Sequence, residues 1–189
     1  MSGTIDSARL AAERSPVPVT VVDTGQVGLG VGFAAGHAAA ARDAGGDADD
    51  VAAAARWAGE STSIALYVDT LEYLRRGGRV GSAAALIGSA LAVKPILTIA
   101  DGKVAPLERV RTSARALGRL EALTVEAARA CEDGYDIGVQ HLANLPVAEQ
   151  VAGHLAEQLG RERVPVDEVG AAIGAHVGPG MVSVTVTPR

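Results

Sequence analysis

A histidine near the end of the chain has neighbours that are unusual for a packed side chain. The stretch "IGAHVGPGM" covers residues 173–181, with His176 among small residues and close to a Gly-Pro-Gly run. Glycine lets the backbone approach another group closely and adds no side-chain volume. The stretch therefore leaves three kinds of neighbour open for His176: packed side chains, a catalytic partner or a ligand.

Ser2, Gly3 and Thr4 stand before a stretch with the pattern of an amphipathic helix. A hydroxyl side chain at this position is typical of an N-cap. The same hydroxyl, together with the free backbone N–H groups of a helix start, also forms a site for a carboxylate or phosphate. The local sequence favours neither interpretation over the other.

Three arginines cluster around a pair of glycines. Arg75 and Arg76 precede Gly77–Gly78, and Arg79 follows them in "RRGGRVGS". Exposed arginines are usually only solvated. The flexible glycine pair nevertheless allows Arg79 to present its guanidinium fork to an anion, which makes it a candidate binding residue.

Other motifs point away from cofactor and metal chemistry. Gly25, Gly28 and Gly30 follow a predicted strand, but their gaps run in the reverse order to a dinucleotide-binding fingerprint. This spacing favours a tight strand-to-helix turn. We expect no cofactor, and no metal either, because the remaining histidines lack metal-ligand spacing. These histidines are His37, His141 and His154.

Composition limits the class of protein. Hydrophobic residues make up 48% of the 189 positions but aromatic residues only 3%, so Ala, Val and Leu must build the core. The formal net charge is −5 without a basic block, which gives no support to a nucleic-acid role. Cys131 is the only cysteine, and no apolar run reaches membrane-spanning length. We therefore expect a soluble, cytoplasmic protein without stable membrane insertion.

The elements that must position these residues alternate between strands and helices. A β-branched run at 17–24 predicts a buried strand, and Ala-rich helices follow it up to residue 60. Helices between early strands indicate parallel pairing, whereas Asp101–Gly102 between two apolar runs indicates an antiparallel hairpin. We predict an α/β fold with a boundary near residue 60. The other predicted elements are a strand at 63–70, a short helix at 71–78, a helix at 82–93, a hairpin at 94–110, a helix at 112–131, a strand at 135–142, a helix after Pro146, and strands at 161–166 and 181–188.

Three stretches taken together resemble one known family. Residues 71–112, "LEYLRRGGRVGSAAALIGSALAVKPILTIADGKVAPLERVRT", look very like the central signature of the DegV family of bacterial fatty-acid-binding proteins. "SGTIDSARLAAE" is similar to the family's Ser-Gly-Thr helix start, and "IGAHVGPGMVSV" to its C-terminal element with a histidine and Gly-Pro-Gly. The resemblance spans essentially the whole chain.

The resemblance implies a DegV-like two-domain arrangement. Residues 1–60 would form a remnant of an N-terminal α/β domain with part of a parallel sheet. Residues 61–189 would form a C-terminal α/β domain with a mixed sheet and flanking helices. The small apolar residues of helices 28–44 and 82–93 would line a tunnel for the acyl chain.

The resemblance also implies how the carboxylate of a long-chain fatty acid would be held. Ser2, with Gly3 and Thr4 at the helix start, would bind this carboxylate, and His176 would reach it from the other domain. A hydroxyl, backbone N–H groups and a histidine are a sufficient minimal set, because a buried carboxylate without partners is costly.

A fatty acid kinase is the partner that the resemblance implies. Arg79 and Arg111 would lie near the pocket mouth and face this kinase, which transfers phosphate from ATP to the bound carboxylate and makes an acyl phosphate. The chain itself would present the substrate and would not be an enzyme, so no catalytic residue is expected.

The chain departs from the family pattern at Met1, one residue before Ser-Gly-Thr. Family members carry a longer stretch there, with the first strands of the sheet and a loop that gives the carboxylate another hydroxyl. We therefore expect either further coding sequence upstream or a truncated paralogue. One alternative function is a hydrolase with Ser2 as nucleophile and His176 as base, although the Gly-x-Ser-x-Gly elbow is missing. The other is a truncated structural or regulatory remnant that binds no lipid.

Overall fold

The structure is a computed structural model that describes residues 3–86 and 94–189. Within these residues six strands form one sheet in the order β3-β2-β1-β6-β4-β5. The strands are β1 (Ser63–Tyr67), β2 (Lys94–Ala100), β3 (Lys103–Val110), β4 (Tyr135–His141), β5 (Val166–Glu168) and β6 (Val182–Pro188). The helices are α1 (Thr4–Glu13), α2 (Leu29–Asp43), α3 (Ala48–Ser61), α4 (Glu72–Arg76), α5 (Ser113–Arg129), α6 (Leu145–Leu159) and α7 (Ala171–Val177), with a 3₁₀ helix at Gly81–Leu86.

The sheet is mixed. β1 pairs antiparallel with β2 and β6, β3 pairs antiparallel with β2, and β4 pairs antiparallel with β6 and parallel with β5. The β2–β3 hairpin confirms the prediction from Asp101–Gly102. Both residues have positive φ, 50° and 67°, as the favoured two-residue hairpin turn requires.

Two apolar layers lie on opposite faces of the sheet. Ala65 of β1 faces the layer built by α5 and α6, where Leu120 and Leu155 are fully buried. Its neighbours Ile64 and Leu66 face the other layer, formed with α4, α7 and the 3₁₀ helix. This alternation follows from the strand geometry, because successive side chains point to opposite faces.

The helices α2 and α3 pack against each other and against β6. Asp47 is the N-cap of α3, and its side chain accepts hydrogen bonds from the backbone N–H groups of Asp49 and Asp50. The carboxylate of Asp50 accepts one from the backbone N–H of Asp47 in return, which completes a capping box. Both helices confirm the predictions for this part of the chain.

The predicted strand at 17–24 is wrong. Residues 17–24 form no strand, and Val17 and Val19 are 63% and 51% exposed. Asp23 and Thr24 instead accept hydrogen bonds from the backbone N–H groups two residues ahead, which is turn chemistry. The predicted parallel pairing with β1 is absent as well, because β2 and β6 occupy both edges of β1.

Three smaller differences concern element bounds. The strand predicted at 161–166 begins only at Val166, since Pro165 has no backbone N–H to donate to a neighbouring strand. The helix α7 was not predicted, although Gly170 and Gly178 bound it as N-cap and C-cap. Only the first part of the predicted helix 82–93 can be compared; it is 3₁₀, and residues 87–93 lie outside the described residues.

The α/β class with a mixed sheet and flanking helices is confirmed. The strands all come from residues after 62, within the described parts of the chain. The division into domains 1–60 and 61–189 stays a prediction. No helix in the described parts of the chain combines the length and apolar character needed to cross a membrane.

Candidate functional site

A largely apolar cavity of about 440 Å³ lies on the face of the sheet that carries α4 and α7. Pockets that bind small molecules usually measure roughly 300–1,000 Å³. The volume and lining suit a slender apolar ligand. The apolar lining consists of Val27, Val31, Ile64, Leu66, Leu74, Ile99, Val104, Val169, Ala172, Ile173, Val177 and Met181.

His176 reaches this cavity from the last turn of α7. Its ring lies directly against Gly77, where the absence of a side chain leaves room for it. The Nδ1 atom is buried and has no hydrogen-bond partner among the described residues. Because Nδ1 lies against Gly77, the rest of the imidazole borders the cavity and is the candidate ligand contact.

Glycines allow the tight turn between α7 and β6. Gly178 (φ 74°) lies against the ring of Tyr73, and Gly180 (φ 88°) lies against the carboxylate of Asp69. The carbonyl of Gly180 accepts a hydrogen bond of 2.9 Å from the side chain of Asn144. These glycines therefore let other parts of the protein come close and so hold the end of α7 in place.

Arg79 lines the same cavity. Its Nη1 donates a hydrogen bond of 2.5 Å to the carbonyl of Gly77, and its backbone N–H donates one of 2.8 Å to the carbonyl of Leu74. Gly77 also lies against the ring of His176. One residue of the turn after α4 thus contacts both candidate side chains.

The start of α1 borders the cavity as well. Thr4 lines it, and Gly3, which has no side chain that could cap the helix, is the N-cap of α1. Ser2 lies outside the described residues. Of the predicted site residues, the structure thus brings Thr4, Arg79 and His176 to one cavity.

The family model described as "Uncharacterised protein, DegV family" matches residues 1–189. This chain belongs to the DegV family. A DegV domain-containing protein of Streptomyces coelicolor is 50% identical over all of this chain and 67% of that protein. One of Mycobacterium tuberculosis is 38% identical, over 98% of this chain and 66% of that protein.

Solved DegV structures share the fold. A fatty acid binding DegV family protein from Streptococcus agalactiae has a TM-score of 0.89 and 28% identity, covering all of this chain and 66% of that one. DegV of Bacillus subtilis, described as a fatty acid binding protein, has a TM-score of 0.86 and 29% identity, with coverage of 100% and 67%. The chain thus spans about two thirds of the length of the relatives that it matches.

Arg111 does not line the cavity. It is exposed and follows the last residue of β3, whereas the cavity is lined by Val104 near the other end of that strand. The carboxylate of Glu108, which is a possible partner for Arg111 by sequence, accepts three hydrogen bonds of 2.7–3.0 Å from Arg119 instead. Arg79 and Arg111 therefore do not share one wall of the cavity.

Four polar lining residues were missed by the sequence analysis: Gln26, Gln140, Ser183 and Thr185. The side-chain oxygen of Gln140 accepts a hydrogen bond of 2.9 Å from the backbone N–H of Leu29, which anchors the start of α2 to β4. For Ser183 and Thr185 a signal was present, because every second residue of "VSVTVT" is polar. Such alternation predicts one polar face of a strand, and here that face meets the cavity.

A hydrolase would need a group that orients the histidine. The unpartnered Nδ1 of His176 shows no orienting carboxylate within the described residues. Those residues also contain no group of three or more His, Cys, Asp or Glu side chains placed to hold a metal ion. The geometry therefore favours binding of an apolar ligand with a polar end over hydrolysis.

Proposed function

We propose that this protein binds a long-chain fatty acid in the cavity of about 440 Å³, with the carboxylate at His176. The observation that carries the proposal is the imidazole of His176 in the wall of an otherwise largely apolar cavity. Thr4 borders the same space and supplies a hydroxyl for the head group. The solved relatives described as fatty acid binding proteins support the same ligand class.

The energetics of the cavity suit an acyl chain. Each buried methylene contributes roughly 0.8 kcal/mol, so the apolar wall supplies most of the affinity. The carboxylate must then be hydrogen-bonded, since a buried charge without partners is costly. His176 and Thr4 provide such donors in the wall of an otherwise apolar space, which fixes the orientation of the acid.

Native mass spectrometry of the delipidated full-length protein, titrated with palmitate or oleate, tests this proposal. We expect one fatty acid per protein molecule. The absence of an adduct with any chain length contradicts the proposal.

Replacement of His176 separates binding from stability. We expect His176→Ala to weaken fatty-acid binding by about 1–3 kcal/mol, the usual cost of leaving a buried polar group unpaired. The melting temperature of the ligand-free protein stays nearly unchanged, because Nδ1 has no partner to lose. His154→Ala is the matched control, since this histidine is exposed on α6 and bonds to Glu121. A large loss of stability with unchanged affinity would show that His176 is a packing residue.

We further propose that the bound carboxylate is presented to a fatty acid kinase, with Arg79 and Arg111 on the side that the kinase meets. Transfer of a phosphoryl group to a carboxylate brings two anions together, so nearby fixed cations lower the barrier. Arginine suits this role because it stays charged and binds phosphate with two parallel hydrogen bonds. Arg111 is exposed and is therefore available to a partner protein.

The kinase role is tested by comparing binding with turnover. Arg79→Ala and Arg111→Ala should keep fatty-acid affinity within a few-fold of the wild type and strongly reduce acyl phosphate formation by the cognate kinase. Lysine replacements should recover only part of the activity, because lysine lacks the planar fork. Normal turnover in both alanine variants removes the proposed docking role.

A further inference from the structure

Formal charge is distributed unevenly along the chain. Residues 71–119 contain nine Lys and Arg side chains but only three Asp and Glu side chains, a formal charge of +6. The rest of the chain carries a formal charge of −11, since the whole chain has −5. The basic segment includes β2, β3 and the start of α5, so it supplies the two strands at one end of the sheet.

Four cations of this segment follow one edge of the sheet. Lys103 begins the edge strand β3, and Arg109 lies near the end of that strand. Arg111 comes directly after the strand, and Arg115 lies in the first turn of α5. All four residues are exposed, and none of them forms an ion pair with another residue of 3–86 or 94–189. We call these four residues the basic edge.

Few acidic side chains are available to neutralise the basic edge. Glu72 and Glu108 belong to the same segment, but arginines outside the basic edge already bind their carboxylates. The third acid, Asp101, lies in the hairpin turn. The edge strand at the opposite end of the sheet, β5, is acidic instead, with Asp167 and Glu168 exposed. The molecule is therefore dipolar across the width of its sheet.

The extent of the basic edge suits a partner surface and not a small anion. The eight residues of β3 span about 23 Å, at roughly 3.3 Å per residue. A bilayer or a nucleic acid presents negative charge far beyond this row and would repel the formal charge of −11 on the rest of the chain. A protein can be acidic opposite the row alone, where charges attract within a screening length of about 8 Å. The charge distribution therefore favours a protein partner.

We infer that the basic edge docks the acidic face of a partner protein, and that this partner is the fatty acid kinase. The inference rests on the proposed presentation of the bound acid to a kinase. It adds Lys103, Arg109 and Arg115 to the contact surface and names the charge of the face that they meet. Complementary charges steer the encounter of two proteins, so the basic edge acts on association and not on phosphoryl transfer.

Charge reversal in the full-length protein loaded with palmitate tests the inference. The triple variant Lys103→Glu, Arg109→Glu and Arg115→Glu should fold and bind palmitate as the wild type does, because these residues are exposed and unpaired. Glutamate at position 115 also completes a capping box with Thr112, the N-cap of α5. We expect the KM of the cognate kinase for the loaded protein to rise about tenfold at low ionic strength, with kcat unchanged. The difference should shrink as salt is added.

A second triple variant is the matched control. Arg56→Glu, Arg129→Glu and Arg163→Glu change the net charge by the same amount, and these exposed arginines lie outside the basic edge. Thermal unfolding shows that both triple variants are folded. The control should leave the KM unchanged. An equal rise of KM in both variants, or no rise in the first, overturns the inference.

Other occupants of the basic edge give different results with the same variants. Binding to phosphatidylglycerol vesicles, or self-association in light scattering, that the first variant abolishes without a change in KM would assign the edge to lipid or to a second copy and overturn the inference. Equal turnover of the wild type and the first variant removes the docking surface while the kinase role stands. If the wild type binds palmitate but the kinase does not phosphorylate it, the proposed presentation fails and the inference fails with it.

Discussion

At the scale of single residues, the turn between α7 and β6 decides where His176 lies. Gly178 has φ 74° and ψ 167°, a backbone region that is open essentially only to glycine. A Cβ atom there would also overlap the ring of Tyr73. The ring and the turn can pack together only because this position has no side chain, and the packing fixes the end of α7.

Gly178→Ala should therefore destabilise the protein by about 2–4 kcal/mol, from backbone strain and from overlap with Tyr73. Because the end of α7 must move, fatty-acid affinity should fall as well. The measurement is chemical denaturation with a lipid-binding assay. Gly153→Ala is the control, because Gly153 lies on the exposed side of α6 with open space around it. Alanine there should raise the free energy of unfolding by about 0.5–1 kcal/mol. Equal stability of the two variants contradicts the argument.

At the scale of elements, an ion pair joins β3 to α5. Arg119 of α5 donates hydrogen bonds to Glu108 of β3 through both Nε and Nη2. These hydrogen bonds, more than the charge of Arg119 itself, lower the pKa of Glu108 below its ordinary value of 4.5. Both side chains are about one-third exposed, so solvent weakens the contribution of the pair to stability.

Arg119→Gln should raise the pKa of Glu108 toward 4.5, as measured by NMR titration of its carboxyl group. A lowered pKa in the folded state gives stability that is present above pH 4.5 and is lost as the pH falls through the folded pKa. The variant should therefore lose less stability than the wild type when the pH drops below about 4.5. Arg115→Gln in the same helix should leave the titration of Glu108 unchanged. A similar shift in both variants argues against a specific pair.

The local helix signals were readable from the sequence at this scale. Thr112, the N-cap of α5, lies where the predicted helix 112–131 begins, because capping depends on residues within one turn. The start of β5 was less predictable. Its position depends on pairing with β4, a partner distant in sequence, as well as on Pro165.

At the scale of the whole molecule, the sheet separates stability from binding. Leu155 of α6 is fully buried against the sheet, on the face away from the cavity. Leu74 of α4 is equally buried but belongs to the other layer and lines the cavity. The two leucines therefore offer a matched pair of substitutions on opposite faces.

Leu155→Ala and Leu74→Ala should each lower the free energy of unfolding by about 2–5 kcal/mol, the usual cost of truncating a buried leucine. Only Leu74→Ala should also change fatty-acid affinity, since only that side chain borders the ligand space. Denaturant unfolding and ligand titration of both variants check this. A change in affinity for Leu155→Ala as large as that for Leu74→Ala would show that the two faces are coupled.

The sequence by itself determined the elements whose signals are local, and it determined the family. The hairpin at Asp101–Gly102 needs positive φ at two adjacent positions, and the motifs with His176 and Arg79 are contiguous. The long central signature predicted DegV membership, which the family comparison confirms. Each of these features depends on residues that are neighbours along the chain.

Only the tertiary structure decided which groups meet. The run at 17–24 has strand-forming residues but forms no strand, and its side chains accept hydrogen bonds within a turn instead. Glu108 pairs with Arg119 and not with the nearby Arg111, because α5 packs against β3 and brings Arg119 within reach. The amide nitrogen of Gln26 donates to the carbonyl of Gly59, which is distant in the sequence. Hydrogen-bond partners distant in sequence are set by packing, and no local pattern encodes them.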